Sequence, residues 1–231
     1  MEMVCWNIRV LNSPVRRKTL REFVATMRAA IICILETKLE RVDKFPIMQC
    51  LGPSYDGFMY LPVSDTRGGI FVGWDSTKAQ ISNYVRDTNF LTGYVTPIDG
   101  PSWWLSVVYG PQDNAHKIQF LEELSARRLL CPGAWLAIGD FNPILSSSDK
   151  SNNRIDRRMM RKFKRFIDDN ALKELFLHGR KYTWTSEREA PTLTKIERAF
   201  VSVVWELDHP DCLLQALSSS VSDHCPLFLA L

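Results

Sequence analysis

Residues 134–143 read AWLAIGDFNP: an apolar run, then a glycine, a carboxylate, an aromatic ring, a carboxamide and a proline. The unbroken run 134–138, closed by Gly139 and Pro143, predicts a strand buried on both faces rather than a half-exposed one. Such a strand needs cover on each side, which a layered fold of strands and helices supplies. Asp140 and Asn142 follow at once, so a fully buried strand ends on polar side chains. Asp140 by itself fits an Asx turn.

The pattern repeats outward from this stretch. MVCWNI (3–8) carries Asn7, IICIL (31–35) runs into Glu36, WWLSVVY (103–109) ends on Tyr109, and PLFLAL (226–231) is preceded by Asp223-His224. Further strands are predicted over 68–74, 79–86, 91–97, 181–186 and 196–202. Ser13-Pro14 opens a helix over 14–28, with Leu20, Phe23, Val24 and Met27 on one face. Ile118, Leu121 and Leu124 place another near 113–128. Ile155, Met159, Phe163, Phe166 and Ile167 make the apolar stripe of a third, about 154–169. Turns are read at Pro46, Gly52-Pro53 and Gly57, and 146–153 reads as a serine-rich loop. No repeat or linker divides the chain, so 1–231 reads as one domain.

Composition narrows the classes. With 45% hydrophobic residues in a chain of 231, a sizeable core is expected and global disorder is excluded. The longest apolar run, Ala29 to Leu35, falls far short of the ~20 residues a bilayer requires. Glu2 and Asn7 interrupt any apolar stretch at the start, so no secretory signal is expected. The six cysteines form no C-x-x-C pair and read as reduced thiols, which implies an intracellular setting, nuclear or cytoplasmic. The net charge of +3 is unevenly spread. Residues 154–165 hold seven basic residues against one acidic, and 16–28 hold five against one, which leaves the remainder at −7. A polyanionic partner that also meets a carboxylate-rich site fits this distribution, as do two solvated helix faces.

The polar residues at strand ends are three carboxylates (Glu36, Asp140, Asp223), two carboxamides (Asn7, Asn142), a phenol (Tyr109) and an imidazole (His224). Oxygen donors of this kind suit a hard divalent cation such as Mg²⁺. His116, His178 and His209 lack such neighbours and read as surface or structural residues.

Taken in order, WNIR (6–9), LETK (35–38), VYGP (108–111), GDFN (139–142), KIERAFVS (195–202) and SDHCPL (222–227) resemble the endonuclease/exonuclease/phosphatase family, which has the DNase-I-like fold. WNIRVLNSPVRRKTLREFV and SNNRIDRRMMRKFKRFIDD are similar to endonuclease domains of plant LINE-type non-LTR retrotransposons. The resemblance implies an α+β, four-layer sandwich of two face-to-face sheets flanked by helices, with the site at one sheet edge. It implies metal-dependent phosphodiester hydrolysis with Mg²⁺ or Mn²⁺, DNA as substrate and a monomer. In that scheme Glu36 holds the metal with Asn7 and Asp223 near it. Asp140 orients or deprotonates water, Asn142 and Tyr109 position the phosphate, and His224 bonds a phosphoryl oxygen. The general base is left open between Asp140 and His224. Arg16 and Arg17, and Arg157, Arg158, Arg161, Lys162 and Arg165, are the expected phosphate contacts.

Two departures stand out. Glu197 replaces the aspartate that orients the histidine in such families; its extra methylene is expected to hold the imidazole less firmly, so that Glu197→Asp leaves activity equal or higher. Val10 stands where LINE relatives often carry glycine, and a β-branched residue takes φ > 0 only at a cost. Both admit a decayed, non-catalytic relic as an alternative, alongside a phosphatase of phosphoinositides or other small phosphoesters. The chain's start, so close to its first strand, is compatible with a few missing residues or with a fragment of a larger retroelement protein.

Overall fold

The computed structural model describes residues 1–11, 13–39, 49–63, 68–186 and 188–231. The turn read at Pro46 lies outside them. One sheet has seven strands: β1 (Glu2–Asn7), β2 (Ile31–Leu35), β3 (Gly57–Leu61), β4 (Ile70–Trp74), and later β10 (Leu177–His178), β14 (Leu213–Ala216) and β15 (Leu227–Ala230). Their order is β10-β14-β15-β1-β2-β4-β3. The second sheet has six: β5 (Ala79–Arg86), β6 (Phe90–Pro97), β7 (Trp103–Tyr109), β8 (Trp135–Asp140), β9 (Leu172–Glu174) and β13 (Glu197–Ser202), ordered β5-β6-β7-β8-β13-β9. A small hairpin, β11 (Trp184–Thr185) with β12 (Leu193–Thr194), stands apart.

Alternation along the buried strands explains the layers. Met3 and Cys5 of β1 and Ile31, Cys33 and Leu35 of β2 pack against Leu105, Val107, Leu136 and Ile138 of the other sheet. Val4, Trp6, Ile32 and Ile34 face the opposite way and meet Leu20 and Val24 of helix α1 (Pro14–Met27). Each such buried aliphatic contributes about 1.5–3 kcal/mol. On the far side, Val108, Trp135, Ala137 and Phe200 pack against α2 (Asn114–Leu129) and α3 (Arg157–Asp169). The layers are therefore helix, sheet, sheet, helix, an α+β sandwich. β1, β2 and β8 are buried on both faces because both faces are covered.

Register places the polar strand ends together. β1 runs parallel to β2, with Asn7 opposite Leu35. β7 runs parallel to β8, setting Tyr109 opposite Asp140, and antiparallel β13 sets Glu197 opposite the same Asp140. Gly139 makes this close pairing feasible: it has φ +142, and a Cβ there would stand 2.1 Å from the Val108 carbonyl oxygen.

The sequence expectations need several corrections. The strand read over 181–186 is only Trp184–Thr185. Gly57, read as a turn, opens β3. The third helix starts at Arg157 rather than 154, capped by Asp156, which accepts from the Met159 N–H at 2.9 Å. The short helix α4 (Val203–Asp208) was not foreseen. All six cysteines are free thiols. Among the described residues no helix is long and apolar enough to cross a membrane.

Candidate active site

The strand ends of both sheets border a cleft of about 420 Å³, lined among others by Asn7, Glu36, Tyr109, Asp140, Asn142 and His224. Each is held by a local device. Glu36 follows β2 in a left-handed conformation, φ 55, which costs a non-glycine residue roughly 1–2 kcal/mol. Gly68 permits it, since a Cβ there would lie 2.4 Å from Glu36 Cγ. The Tyr109 hydroxyl lies beside the Glu36 carboxylate; burial, then the charges of Glu36 and Asp140, push the phenol's pKa well up and keep it protonated. Lys38 sits 3.5 Å from Glu36.

Asp140 is almost fully buried. Its two oxygens accept from Asn7 Nδ2 (3.1 Å) and from the Asn142 N–H (3.0 Å). Asn142 is itself left-handed, φ 67, and donates its side-chain amide to the Gly110 carbonyl at 2.6 Å. Burial, then the Glu197 charge, push Asp140 up to about 7, against the opposing pull of His224 and Asn7.

Glu197 is 1% exposed, and its Oε1 contacts His224 Nδ1 directly. His224 Nδ1 also lies 3.9 Å from Asp140. Burial alone would lower the imidazole's pKa; the Glu197 charge and hydrogen bond, with Asp140 and Asp223, overcome it and raise the pKa to about 9. These charges favour the protonated imidazole. Glu197 reaches the ring despite its extra methylene, and a shorter side chain on the same backbone would sit farther from it. Pairing of Glu197 with Arg198 or Lys195 does not occur. Arg198 faces the other way, onto Glu174 and Asp149.

Asp223 stands behind the cleft wall. Its Oδ2 accepts from Arg9 (2.8 Å) and from Trp184 Nε1 (2.9 Å), while its Oδ1 is buried without a hydrogen-bond partner, 3.9 Å from His224 Nε2. The left-handed residue after β1 is Arg9, φ 66, and Val10 carries no such strain.

The expected phosphate contacts divide. Arg16 and Arg17 are half-buried and donate to the carbonyls of Ile8 (3.5 Å) and Leu11 (2.9 Å), so they tie α1 to the loop after β1. Arg157, Arg158, Arg161 and Arg165 are exposed on α3, with Lys162 half-buried, and none of them lines the cleft. The cations that do line it are Arg9, Lys117, Lys150 and Arg154. Lys117 is lowered by burial, partly offset by Asp156, Asp140 and Asp113. Arg154 belongs to the basic run but precedes its helix. Lys117 and Lys150 carried no signal in sequence, because what recruits them is the packing of α2 and the loop after β8.

Comparison with known proteins agrees with this geometry. Residues 4–224 match the Endonuclease/Exonuclease/phosphatase family. The chain belongs to that family. No curated protein matches it. Among solved structures, the 3′ phosphatase NExo from Neisseria bound to product DNA hairpin superposes with a TM-score of 0.76 at 18% identity, covering 100% of this chain and 99% of that one. An AP endonuclease from Archaeoglobus fulgidus gives 0.74 at 15% identity, covering 100% and 99%. The endonuclease domain of TRAS1, a telomere-specific non-LTR retrotransposon, gives 0.71 at 14%, covering 99% and 96%. At these identities the superpositions show the shared fold, and the family match shows a hydrolytic nuclease or phosphodiesterase.

Members of this family generally depend on a divalent metal, and the donor set here fits one. Glu36 and Asp140 line the cleft, Glu197 and Asp223 flank His224, and Glu197 Oε2 and Asp223 Oδ1 are buried with no hydrogen-bond partner. Uncompensated buried carboxylate oxygens favour a nearby cation. Asp140, Glu197 and His224 also bring ligand atoms within 4.8 Å of one another. That trio is better described as a proton network, because Nδ1 already faces Glu197. Glu36 is the carboxylate that opens to the cleft.

Proposed function

We propose that this protein is a Mg²⁺-dependent phosphodiester hydrolase that nicks DNA, of retrotransposon origin. The observation that carries the reading is the buried Asp140–His224–Glu197 network, set at the cleft beside Glu36 and facing Lys117, Lys150 and Arg154. Mn²⁺ would substitute for Mg²⁺. Glu36 would hold the ion, with Asn7 and Asp223 close by. Bound there, the ion would offset the charge that grows on the phosphoryl oxygens.

The protein's own groups divide the remaining work. His224, kept protonated by Glu197, cannot accept a proton near neutral pH and acts as a donor to a phosphoryl oxygen. Asp140, poised near 7, is the group that can take the proton of the attacking water. The open choice of base therefore falls to Asp140. Tyr109 keeps its proton and orients Glu36. Asn142 shapes the turn that presents Asp140 and retains one amide proton for the phosphate. Lys117, Lys150 and Arg154 supply the charge that draws a polyanion into the cleft. With Glu197 seated on His224 and Val10 unstrained, both features that favoured a decayed relic lose their force.

The test is nicking of supercoiled plasmid. Open-circular product should form with Mg²⁺ and be absent with EDTA. Intact supercoil under both conditions would sink the reading.

A further inference from the structure

Three cavities lie in a row on the described surface. The cleft shares Trp184 with a second cavity of about 240 Å³, and that cavity shares Arg180 and Lys181 with a third of about 450 Å³. The row leaves the cleft along residues 176–184, the connection between the two sheets and the small hairpin. Rings flank a central pair of cations, Arg180 and Lys181, along it. Trp184 is followed by Tyr182, whose ring lies 5.1 Å from the Lys181 ammonium, and then by Phe176, packed edge-to-face on His178 at 4.7 Å. Phe176 is 75% exposed, an unusual place for a large apolar ring that covers no core.

The carboxylates bordering the row are neutralised by their own partners. Asp223 bonds Arg9 at 2.8 Å and Asp149 bonds Arg198 at 2.6 Å. Lys195, on the rim of the third cavity, is paired with Glu174 at 2.7 Å. Arg180 donates to the Ser218 hydroxyl at 2.8 Å, a partner that leaves its charge uncancelled. The row is therefore a positively charged trough bordered by rings, of which Phe176 is the most exposed.

We infer that this trough binds an unpaired stretch of nucleic acid continuous with the strand held in the cleft, with bases on Phe176 and Tyr182 and phosphates on Arg180 and Lys181. The inference rests on the nuclease reading above and adds where the substrate's single-stranded flank lies. Ring faces stack most readily on unpaired bases, whereas the side of paired DNA presents phosphates and base edges rather than base faces. Rings on either side of a cationic pair match the unpaired form.

Binding in EDTA separates this from catalysis. Fluorescence anisotropy would compare a blunt duplex with the same duplex bearing a tail of about six thymidines, a length within the usual footprint of single-strand sites. The native protein should prefer the tailed duplex. Phe176→Ala should lose roughly tenfold on the tailed duplex and nothing on the blunt one, with its salt dependence unchanged. Lys181→Ala should lower the salt slope on the tailed duplex by about 0.7. Equal melting midpoints would show that both variants are folded. No preference for the tail, or equal losses on blunt and tailed DNA, would overturn the inference. If the native protein fails to nick plasmid yet shows a Phe176-dependent preference for the tail, the trough stands and the catalytic reading falls. If it nicks and both variants bind like the native chain, the trough alone falls.

Discussion

Glu197 and Arg198 are neighbours on β13, each 1% exposed, each charged, and each locked into a network of opposite charge. Because β-strand side chains alternate, they serve opposite faces of one sheet. Glu197 faces the cleft, holds His224 and keeps one oxygen without a partner. Arg198 donates to Glu174 (2.5 Å), Asp149 (2.6 Å) and the Lys195 carbonyl (3.1 Å), stitching β9 and the turn after β8 to the strand. Burial is the same in both, and each side chain is ionisable. Each also keeps one buried atom without a hydrogen-bond partner, Glu197 Oε2 and Arg198 Nε. What separates a site from a brace here is the company each keeps: Glu197 holds a raised imidazole, and His224 and Asp140 line the cleft, whereas none of Arg198's partners does. A buried charge paired only with groups remote from the cleft marks stability or specificity at most.

The sharpest way to break this contrast is Asp140→Asn. The carboxamide keeps the shape of the turn but cannot take a proton from water. Nicking should fall by roughly 10²–10⁴-fold, while DNA affinity, set by the cleft and trough cations, stays nearly unchanged. Rates from plasmid nicking and affinities from anisotropy decide it. Equal rates in the native and variant proteins would remove Asp140 from the chemistry and leave both networks as braces.

Arg198→Met should act the other way. It leaves Glu174 and Asp149 without their shared cation, and breaking such a pair from one side costs about 3–5 kcal/mol. The loss belongs at the lower end, since both carboxylates keep some contact with water. Denaturant unfolding should show it. The folded fraction should nick at the native rate, because nothing in that network touches the cleft. A variant that is stable yet inactive would mean that Arg198 positions the site after all.

Much of this architecture was legible in the chain. Strands covered on both faces announce themselves as unbroken apolar runs, as IICIL and AWLAI do, and the polar residue that follows each run marks the rim. The edges were not legible. β3 has a half-buried pattern and opens on Gly57, which reads as a turn. β9, β10 and β12 are two or three residues long, and their existence depends on a neighbour's register. Glu197 was assigned to the histidine only through the resemblance, and the bracing role of Arg198 was hidden, since its partners Glu174 and Asp149 are brought to it by the fold. Arg16 and Arg17 illustrate the same limit. A cation in sequence is a charge, and the carbonyls of Ile8 and Leu11 turn these two into tethers.

The smallest effect sharpens the contrast most, because it reads the network without DNA or metal. In the folded protein the His224 imidazole is raised to about 9 from its ordinary 6.5, so folding favours the protonated ring. Stability from this pairing is complete below about pH 6.5 and is lost as pH rises through about 9. Between those limits the metal-free native protein should lose on the order of 2–3 kcal/mol, measured by denaturant unfolding in EDTA at stepped pH. Glu197→Gln removes the main charge that opposes burial, though Asp140 and Asp223 remain. The imidazole should then titrate well below 9, and less than half of the alkaline loss should persist. Nuclear magnetic resonance of the His224 ring gives the same answer independently. Arg198→Met should keep the native slope, since a guanidinium does not titrate in this window. If Glu197→Gln and the native chain lose stability in parallel, the contact between Glu197 and His224 is a neutral hydrogen bond. His224 would then be free to compete with Asp140 as the base.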